Sequence, residues 1–428
     1  MINIYCPNIN SRVSYAVDLL FKQILRIDYI LIDNIDNLNN IVINYSEKEI
    51  EHKSIQIIPN DLLFYTEMKS INPTHLEHNE DIIRFFTNKE CPYGFDIFSA
   101  SFYLSSRYEE YNCNEKDEFD RFNSTSSILS KLNVLEYPLI DIWSINLLNR
   151  INAFYNSYIN HNRQFSQTST IDIDNAFAFK HKGFFRTTAA SFKSLMTFKL
   201  SEFKLRINVL LNKEEDPYDT YDYLLNFHKQ NNIKAIYFIL LGDYHSKDKN
   251  IKHTHFAIKQ LLDKLKRQSK IGIHPSFFSF KNPKQIKVEV ERLNKIAEQK
   301  TSLSRNHFLR FSVSETYNHL LNIDITSDYS MGYHDAVGFR AGTCSSFKFF
   351  DIKNNKTTNL KIIPFAYMDG VLKDRLKLND KEAIEKIEML KNRVQKIKGS
   401  FISIWHNESV SNAGRWTNWR RVYEKSFE

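Results

Sequence analysis

Two aspartates, Asp172 and Asp174, stand two residues apart in the apolar segment TSTIDID. Successive side chains of a β-strand alternate between its faces, so both carboxylates would point to one face. Two neighbouring carboxylates repel each other and are costly to bury unpaired. A divalent metal resolves this if one carboxylate is a ligand and the other acts as a base. A strand that ends in a turn also favours Asp, so the spacing alone leaves both interpretations open.

Two histidines follow later strand-like segments, His274 in GIHPS and His307 in RNHFLRF. A neutral imidazole is a common zinc ligand, and one Asp with two His leaves positions for water and substrate. Taken singly, each histidine is more often structural. The loop that contains His253 and His255 is a rival source of ligands.

An arginine and a further histidine extend this set. Arg340 lies between small residues in GFRAGT, where it could orient a catalytic carboxylate through a bidentate pair, or form a buried structural pair. His406 follows the apolar run FISIW and could protonate a leaving group, or be a satisfied core residue. Five such residues at the ends of successive strands are stronger evidence for a functional site than any one of them alone.

The positions of these residues depend on the elements that precede them. Apolar segments that end in polar residues predict strands at 168–174, 233–242, 270–276, 305–312, 336–343, 360–365 and 400–405. Helical patterns at 254–267 and 380–397 lie between some of them. Strand–helix alternation predicts an α/β fold with a parallel sheet or barrel, where chemistry gathers at the carboxyl ends of strands.

The region from about residue 168 to 408 resembles the NodB-homology polysaccharide deacetylases, a family of metal-dependent carbohydrate esterases. TIDID is similar to the family's opening Thr-Phe-Asp-Asp motif, KIGIHPS to its His motif, GFRAGT to its Arg motif and SIWHNE to its Leu-x-His motif. The resemblance implies a distorted (β/α) barrel. It also implies a role for each matched residue: Asp172 as base, Asp174 and His274 as metal ligands, Arg340 as the residue that orients the base, and His406 as general acid.

The sequence departs from the family pattern at two places. Ile173 separates the aspartates, which are adjacent in the family, and Phe278 stands where the family has its second metal histidine. We expect His307 to replace that histidine because it ends a neighbouring strand. The expected cofactor is a divalent metal, most simply Zn²⁺. Tyr333 and Trp405 are candidates for stacking on a sugar ring, although core packing is the simpler role in so aromatic a chain.

Residues 1–165 are expected to form a smaller α/β or α+β domain of unknown function. Residues 166–428 are expected to form the deacetylase-like barrel. Helical patterns lie at 13–25, 96–110 and 140–154, and strand-like ones at 28–33 and 41–45. No chemistry-bearing cluster stands out in this part. The resemblance covers it only as the first half of an uncharacterised two-domain bacterial subgroup.

Composition narrows the class of protein. The 428 residues include 42% hydrophobic and 25% charged residues, which excludes a disordered chain. The surplus of 58 basic over 50 acidic residues, +8, is mild and scattered, so we expect no specific nucleic-acid partner. Four cysteines without metal-ligand spacing, no leader-like start and no long apolar stretch predict a cytoplasmic protein without a transmembrane segment.

Three functions remain in competition at this stage. The first is a metal-dependent hydrolase that removes N-acetyl or similar acyl groups from a glycan or glycan precursor. The second is a hydrolase of a small amide at the same site. The third is an inactive barrel that binds a glycan or a partner protein, which the missing second histidine favours and the aspartate pair opposes. The oligomeric state is not predicted.

Overall fold

The structure is a computed structural model and describes residues 1–37, 41–71, 73, 77–79 and 82–428. The N-terminal part contains a small parallel sheet in the order β2-β1-β3-β4. Its strands are β1 Ile2–Tyr5, β2 Tyr29–Ile32, β3 Ile41–Asn44 and β4 Ile55–Gln56. A two-stranded antiparallel hairpin follows, β5 Glu77–Asn79 and β6 Ile82–Arg84.

Five α-helices belong to this part: α1 Ser11–Asp18, α2 Ile97–Ser105, α3 Tyr108–Tyr111, α4 Ile128–Lys131 and α5 Leu139–Tyr155. α1 continues as a π-helical stretch, Leu19–Leu25, before the chain enters β2. The start of α1 is set by Asn10, whose side chain accepts hydrogen bonds from two backbone N–H groups of the first turn. The helices expected at 13–25, 96–110 and 140–154 are therefore confirmed with shifted ends.

The C-terminal part is built on a nine-stranded sheet in the order β12-β13-β11-β10-β9-β8-β7-β15-β14. All pairings are parallel except that of β12 with β13. The strands are β7 Ser166–Ile173, β8 Lys234–Ile239, β9 Lys270–Ile273, β10 Leu303–Ser304, β11 Ser327–Asp328, β12 Phe347–Asp351, β13 Lys356–Ile362, β14 Tyr367–Met368 and β15 Ser400–His406.

Eight α-helices accompany this sheet: α6 Phe184–Met196, α7 Leu200–Leu210, α8 Tyr221–Gln230, α9 Phe256–Leu265, α10 Pro283–Ala297, α11 Thr316–Leu321, α12 Asp380–Lys396 and α13 Trp419–Lys425. α12 agrees closely with the helix expected at 380–397 because the residues that start it interact with one another locally. Asn379 and Glu382 form a reciprocal capping box there.

The sheet curls into a half-barrel, and in the described part of the chain its edge strands β12 and β14 do not pair with each other. The α/β class with a smaller N-terminal part therefore holds. A closed or distorted barrel of the NodB type remains a prediction, as does the domain boundary after residue 165.

Two predicted strands are wrong. Residues 305–312 contain a short 3-10 turn, His307–Leu309, in which Phe308 and Leu309 adopt positive φ angles of 60° and 51° that a strand does not allow. Residues 336–343 are irregular because the backbone turns at Gly338, where φ is +114°. A Cβ at Gly338 would lie 2.3 Å from the carbonyl oxygen of Leu135, so only glycine lets this segment pack on the N-terminal part.

One apolar core joins the two parts of the molecule. Tyr15 of α1 and Phe102 of α2 pack on Phe350 of β12, with ring centroids 5.1 and 5.0 Å apart. A buried ion pair, Arg163 to Asp141 at 2.7 Å, also ties the entry of β7 to α5. Within the described residues, no helix has both the length and the apolar character needed to cross a bilayer.

Candidate active site

Five of the predicted chemical residues meet at the carboxyl-end edge of the nine-stranded sheet. Asp172 lies in β7 and Asp174 directly after it, while His274 follows β9 and His406 ends β15. Because β9, β8, β7 and β15 are parallel neighbours, their carboxyl ends lie side by side. His307 joins them from the 3-10 turn after β10. The positive φ angles of that turn are the kind of local strain that clusters at functional sites.

Asp174, His274 and His307 converge on one point. One ligand atom from each of the three residues lies within 4.8 Å of the other two. The Nε2 atoms of His274 and His307 lie 3.1 Å from Asp174 Oδ1 and 3.1 Å from Asp174 Oδ2 respectively. His274 and His307 are 2% and 3% exposed, so water contributes little to balancing these groups.

Hydrogen bonds on the outer sides of both imidazole rings determine which ring nitrogen faces this point. His274 Nδ1 lies 2.5 Å from the carbonyl oxygen of Arg305, which can only accept, so Nδ1 carries the proton. His307 Nδ1 donates in the same way to Asp248 Oδ1 at 2.8 Å. In the neutral form of each ring, Nε2 therefore presents a lone pair to Asp174.

This donor set fits a divalent cation. Two Nε2 lone pairs and a carboxylate face one another, and each is an acceptor in the neutral state of the rings. Asp174 Oδ1 is shielded from solvent and lacks a well-oriented hydrogen-bond donor among the described residues. A carboxylate with two imidazoles held by outer hydrogen bonds is the arrangement found around protein-bound zinc.

Without a bound cation, the negative charge of Asp174 must be balanced by a proton on a neighbouring histidine. Burial alone would lower the pKa of His307, but Asp174 and Asp248 raise that pKa from 6.5 to about 9. Burial alone would raise the pKa of Asp174, but the charge of His307 and the proximity of His274 hold that pKa well below 3.8. The metal-free centre is thus stabilised by a proton on His307, which a cation would replace.

Asp172 is oriented by Arg305, not by Arg340. Arg305 Nη1 donates to Asp172 Oδ1 at 2.9 Å and to Thr170 Oγ1 at 2.7 Å. The other oxygen, Asp172 Oδ2, lies 3.8 Å from His274 Nε2 and faces the convergence point. Asp172 is 3% exposed, so its charge is balanced inside the protein. Sequence reasoning missed Arg305, although it stands only two residues before His307.

Arg340 belongs to a different cluster. Its Nε donates to Glu110 Oε1 at 2.8 Å and its Nη2 to Glu110 Oε2 at 2.5 Å, while Nη1 donates to the carbonyl of Gly332 at 3.1 Å. The prediction that Arg340 orients Asp172 is therefore wrong, because its donors are engaged by α3 and by its own loop. The alternative that the sequence left open, a buried structural pair, is what the structure shows.

His406 lies beside the convergence point, paired in register with Asp172 of the neighbouring strand, and is held by an acid that the sequence analysis did not single out. His406 Nδ1 lies 2.9 Å from Asp369 Oδ1, and Nε2 lies 3.7 Å from Asp174 Oδ2. Burial disfavours the charged ring, but Asp369 and Asp174 outweigh it and raise the pKa of His406 well above 6.5. The His406 side chain is 20% exposed, and it can therefore reach a ligand in the cleft.

The two aromatic residues proposed to stack on a sugar are buried. Trp405 is 0% exposed and packs against Tyr423 with ring centroids 5.0 Å apart, and Tyr333 is 1% exposed. Both expectations are wrong because Trp405 fills the interior beside Tyr423, and Tyr333 is buried with its ring 5.6 Å from the guanidinium of Arg340. Trp416, from the loop before α13, lines the cleft instead.

A cleft of about 320 Å³ lies over the site, within the range of small-molecule pockets. Besides the groups above, its wall includes the apolar Trp416 and Met368 and the polar Arg121, Asn306 and His334. His334 is 6% exposed, and neither ring nitrogen has a hydrogen-bond partner among the described residues. Of the rival ligands, His255 caps the start of α9 by accepting from the backbone N–H of Ala257.

Comparison with known proteins finds similarity to a family model and to solved structures. Residues 2–156 match a family model described as a family of unknown function, DUF7033. The chain is also similar to a crystal structure of a candidate polysaccharide deacetylase from Mycobacterium smegmatis, with 11% sequence identity and a TM-score of 0.40. That alignment covers 63% of this chain and 85% of the other. No curated protein matches the chain. Neither likeness identifies functional residues, so the chemistry of the site is inferred from its geometry.

Proposed function

We propose that the protein is a metal-dependent hydrolase that removes N-acetyl or similar acyl groups from a glycan or glycan precursor. One observation carries the proposal: Asp174, His274 and His307 bring three donor atoms within 4.8 Å of one another. An oriented carboxylate, Asp172, and an oriented imidazole, His406, flank this point.

The metal site is assigned from the chemistry of its donors. Asp174, His274 and His307 would hold Zn²⁺, which when bound lowers the pKa of water towards ~7 and polarises a carbonyl oxygen. The carbonyl of Arg305 and the carboxylate of Asp248 keep both rings turned so that Nε2 faces inward. Those outer contacts prepare the site before any ligand arrives.

Asp172 is proposed as the general base. Arg305 holds Oδ1, which leaves Oδ2 free to accept the proton of the attacking water. The hydroxyl oxygen of that water then bonds to the acyl carbon, and the bond from this carbon to the amide nitrogen breaks. Asp172→Asn keeps the shape of the side chain and removes the proton acceptor.

His406 is proposed as the general acid on the leaving side. Asp369 orients the ring through Nδ1, so Nε2–H is the proton that can move to the departing sugar nitrogen. Burial lowers the pKa of His406 but Asp369 raises it, so Asp369 favours the protonated ring that a general acid needs. Acid and base thus lie next to each other on the neighbouring strands β7 and β15, beside the convergence point.

Acetate release tests this function directly. Purified full-length protein loaded with zinc is offered an N-acetylglucosamine oligomer and, separately, a nucleotide-linked N-acetylglucosamine, with a small cyclic amide as the rival substrate. We expect acetate from one of the acetylated sugars and its loss in Asp172→Asn. His253→Ala is the matched control, because His253 lies in the rival histidine loop and not at the site.

Cleavage of the cyclic amide alone would replace the glycan assignment with the small-amide hydrolase. A zinc-loaded protein that releases acetate from neither sugar and cleaves no amide would favour a binding protein on the same scaffold.

A further inference from the structure

An apolar helical hairpin projects from the molecule between β7 and β8. It consists of α6, residues Phe184–Met196, the connection 197–199, and α7, residues Leu200–Leu210. Among the described residues, 21 large apolar side chains are exposed, and ten of them fall between residues 184 and 211. These are Phe184, Phe185, Phe192, Leu195, Met196, Phe198, Leu200, Ile207, Leu210 and Leu211. Soluble surfaces rarely gather apolar groups in this way unless they bind something.

The exposed residues form a stripe on each helix. On α6 the exposed apolar residues fall at i, i+1, i+8, i+11 and i+12, an arc of about 120° at 3.6 residues per turn. The buried residue of α6 is Ser194, which lies on the opposite side. α7 repeats the pattern, with Arg206 and Val209 buried and Leu200, Ile207 and Leu210 turned outward. The hairpin is therefore held through Ser194, Arg206 and Val209, and the exposed apolar residues have no partner in the described structure.

The charge of the hairpin has one sign. Residues 184–211 contain five Lys and Arg and one Glu, a net +4, which is half of the +8 carried by the whole chain. The single acid, Glu202, is engaged by Arg206 at 2.7 Å. The exposed charges are Lys193, Lys199 and Lys204. Lys and Arg are only slightly denser here than in the whole chain, 5 of 28 against 58 of 428, so the positive charge of this segment reflects its single acid.

We propose that the α6–α7 hairpin is a docking surface for an anionic lipid bilayer. Exposed phenylalanines beside lysines are the composition of helices that lie in the membrane interface, with apolar side chains inserted and cations against lipid phosphates. Phe198, at the tip between the helices, is 87% exposed and would enter the bilayer first. A second copy of this chain is a poorer occupant, since a two-fold contact between hairpins would bring like charges together.

The docking surface would hold the cleft near the membrane, because the hairpin leaves the sheet soon after Asp172 and Asp174. Lys182, just before α6, donates a hydrogen bond to the side chain of Asn175, which links the base of the hairpin to the strand end. Arg186 anchors the other side by donating to the carbonyl of Lys249 at 2.8 Å. The proposal does not depend on the enzymatic activity and is tested without it.

Vesicle sedimentation of the full-length protein tests the proposal. The vesicles contain phosphatidylcholine alone or phosphatidylcholine mixed with phosphatidylglycerol. We expect binding at least about tenfold stronger to the anionic vesicles, weakening as salt is added. Phe185→Ser with Phe198→Ser should reduce this binding about tenfold or more, and both side chains are more than four-fifths exposed, so the core is untouched.

Charge variants and controls complete the experiment. Lys193→Glu with Lys204→Glu should abolish the preference for anionic vesicles, whereas Lys287→Glu with Lys381→Glu, an equal charge change elsewhere, should leave most of it. Tyr158→Ser is the control for the aromatic variant, because Tyr158 is 94% exposed and outside the hairpin. Equal binding by hairpin and control variants, or wild type that stays in the supernatant, overturns the proposal. A dimer in sedimentation velocity that Phe185→Ser with Phe198→Ser dissociates, without vesicle binding, assigns the hairpin to a second copy instead.

Discussion

Two buried clusters of charge in this molecule differ in how their charges are balanced. In the first, between α3 and the 332–343 loop, Arg107 and Arg340 stand against Glu109 and Glu110. In the second, at the edge of the nine-stranded sheet, Asp174 faces two imidazoles whose outer nitrogens are already engaged. In the first cluster arginines pair with both acids, whereas in the second Arg305 pairs with Asp172 and the charge of Asp174 needs a cation or a proton on a histidine.

The hydrogen bonds show the same difference. Glu110 accepts from Arg107 at 2.6 Å and from Arg340 at 2.8 and 2.5 Å. Glu109 accepts from Arg107, from Ser127 and from the backbone N–H of Ile128. In the sheet-edge cluster, Asp174 Oδ1 has no well-oriented donor among the described residues. In a structural ion cluster the acidic and basic groups therefore satisfy one another, whereas in a binding site acceptors remain available for a ligand.

The largest expected effect is on catalysis at the open cluster. Asp172→Asn should lower kcat/KM by about 10²- to 10⁴-fold, because the oriented proton acceptor is lost while the metal donors stay. The measurement is acetate release from the active sugar, with zinc content checked alongside. Arg340→Lys is the comparison, since Arg340 belongs to the closed cluster. An equal loss of activity in both variants would mean that the two clusters do not differ in their role in catalysis.

Breaking the closed cluster should cost stability instead. Glu110→Ala leaves the guanidinium of Arg340 buried without its acid, and such changes cost about 3–5 kcal/mol of unfolding free energy. Urea unfolding of wild type and variant measures this, with the exposed Glu385→Ala as control. Adding Arg340→Met to the variant should recover part of the loss. A cost below about 1 kcal/mol would show that the cluster is not the structural element described here.

The outer hydrogen bond of His307 should tune metal affinity. Asp248→Ala removes the acceptor that holds His307 Nδ1–H at 2.8 Å, so zinc should bind about 10- to 100-fold more weakly. Competition with a chelator of known affinity provides the measurement. Asp243→Ala, on the same loop but with a side chain 70% exposed, is the matched control. Unchanged affinity in Asp248→Ala would mean that His307 is not a ligand or is oriented in another way.

The smallest effect is the acid response of the closed cluster. Burial disfavours the charge of Glu110, but Arg340 and Arg107 outweigh it and lower the pKa below 4.5. The unfolded chain thus binds this proton first, so the stabilisation is complete above about pH 4.5 and is lost as pH falls through the folded-state pKa. The stability difference between wild type and Glu110→Gln should be constant near neutral pH and shrink below pH 4.5. A difference that grows on acidification would contradict the assignment.

The sequence was sufficient where the signal is local. α12 follows from its capping box, and β7 and β15 follow from apolar runs that end in polar residues. Asp172, Asp174, His274 and His406 are expected near one another because such residues end parallel strands, and they lie at one edge of the sheet. His307 was found by the same reasoning although the strand expected there is a 3-10 turn.

The remaining parts of the site depend on contacts that are distant in sequence. Asp369 follows β14, which has only two residues and no periodic pattern to read. The choice between Arg305 and Arg340 depends on Glu110, which lies 230 residues from Arg340. Trp405 is buried because Tyr367 and Tyr423 cover it, which its own segment does not indicate. Packing between elements, not local pattern, decides these positions.

The zinc stoichiometry of purified full-length protein tests the central claim most directly. Mass spectrometry of the bound metal, after zinc loading and removal of the excess, would be made on wild type, His274→Ala, His307→Ala and the control His253→Ala. The open cluster predicts one zinc per chain in wild type and in His253→Ala, and its loss in both site variants. Wild type that retains no zinc, or site variants that retain it as well as the control does, would contradict a metal centre at the edge of this sheet.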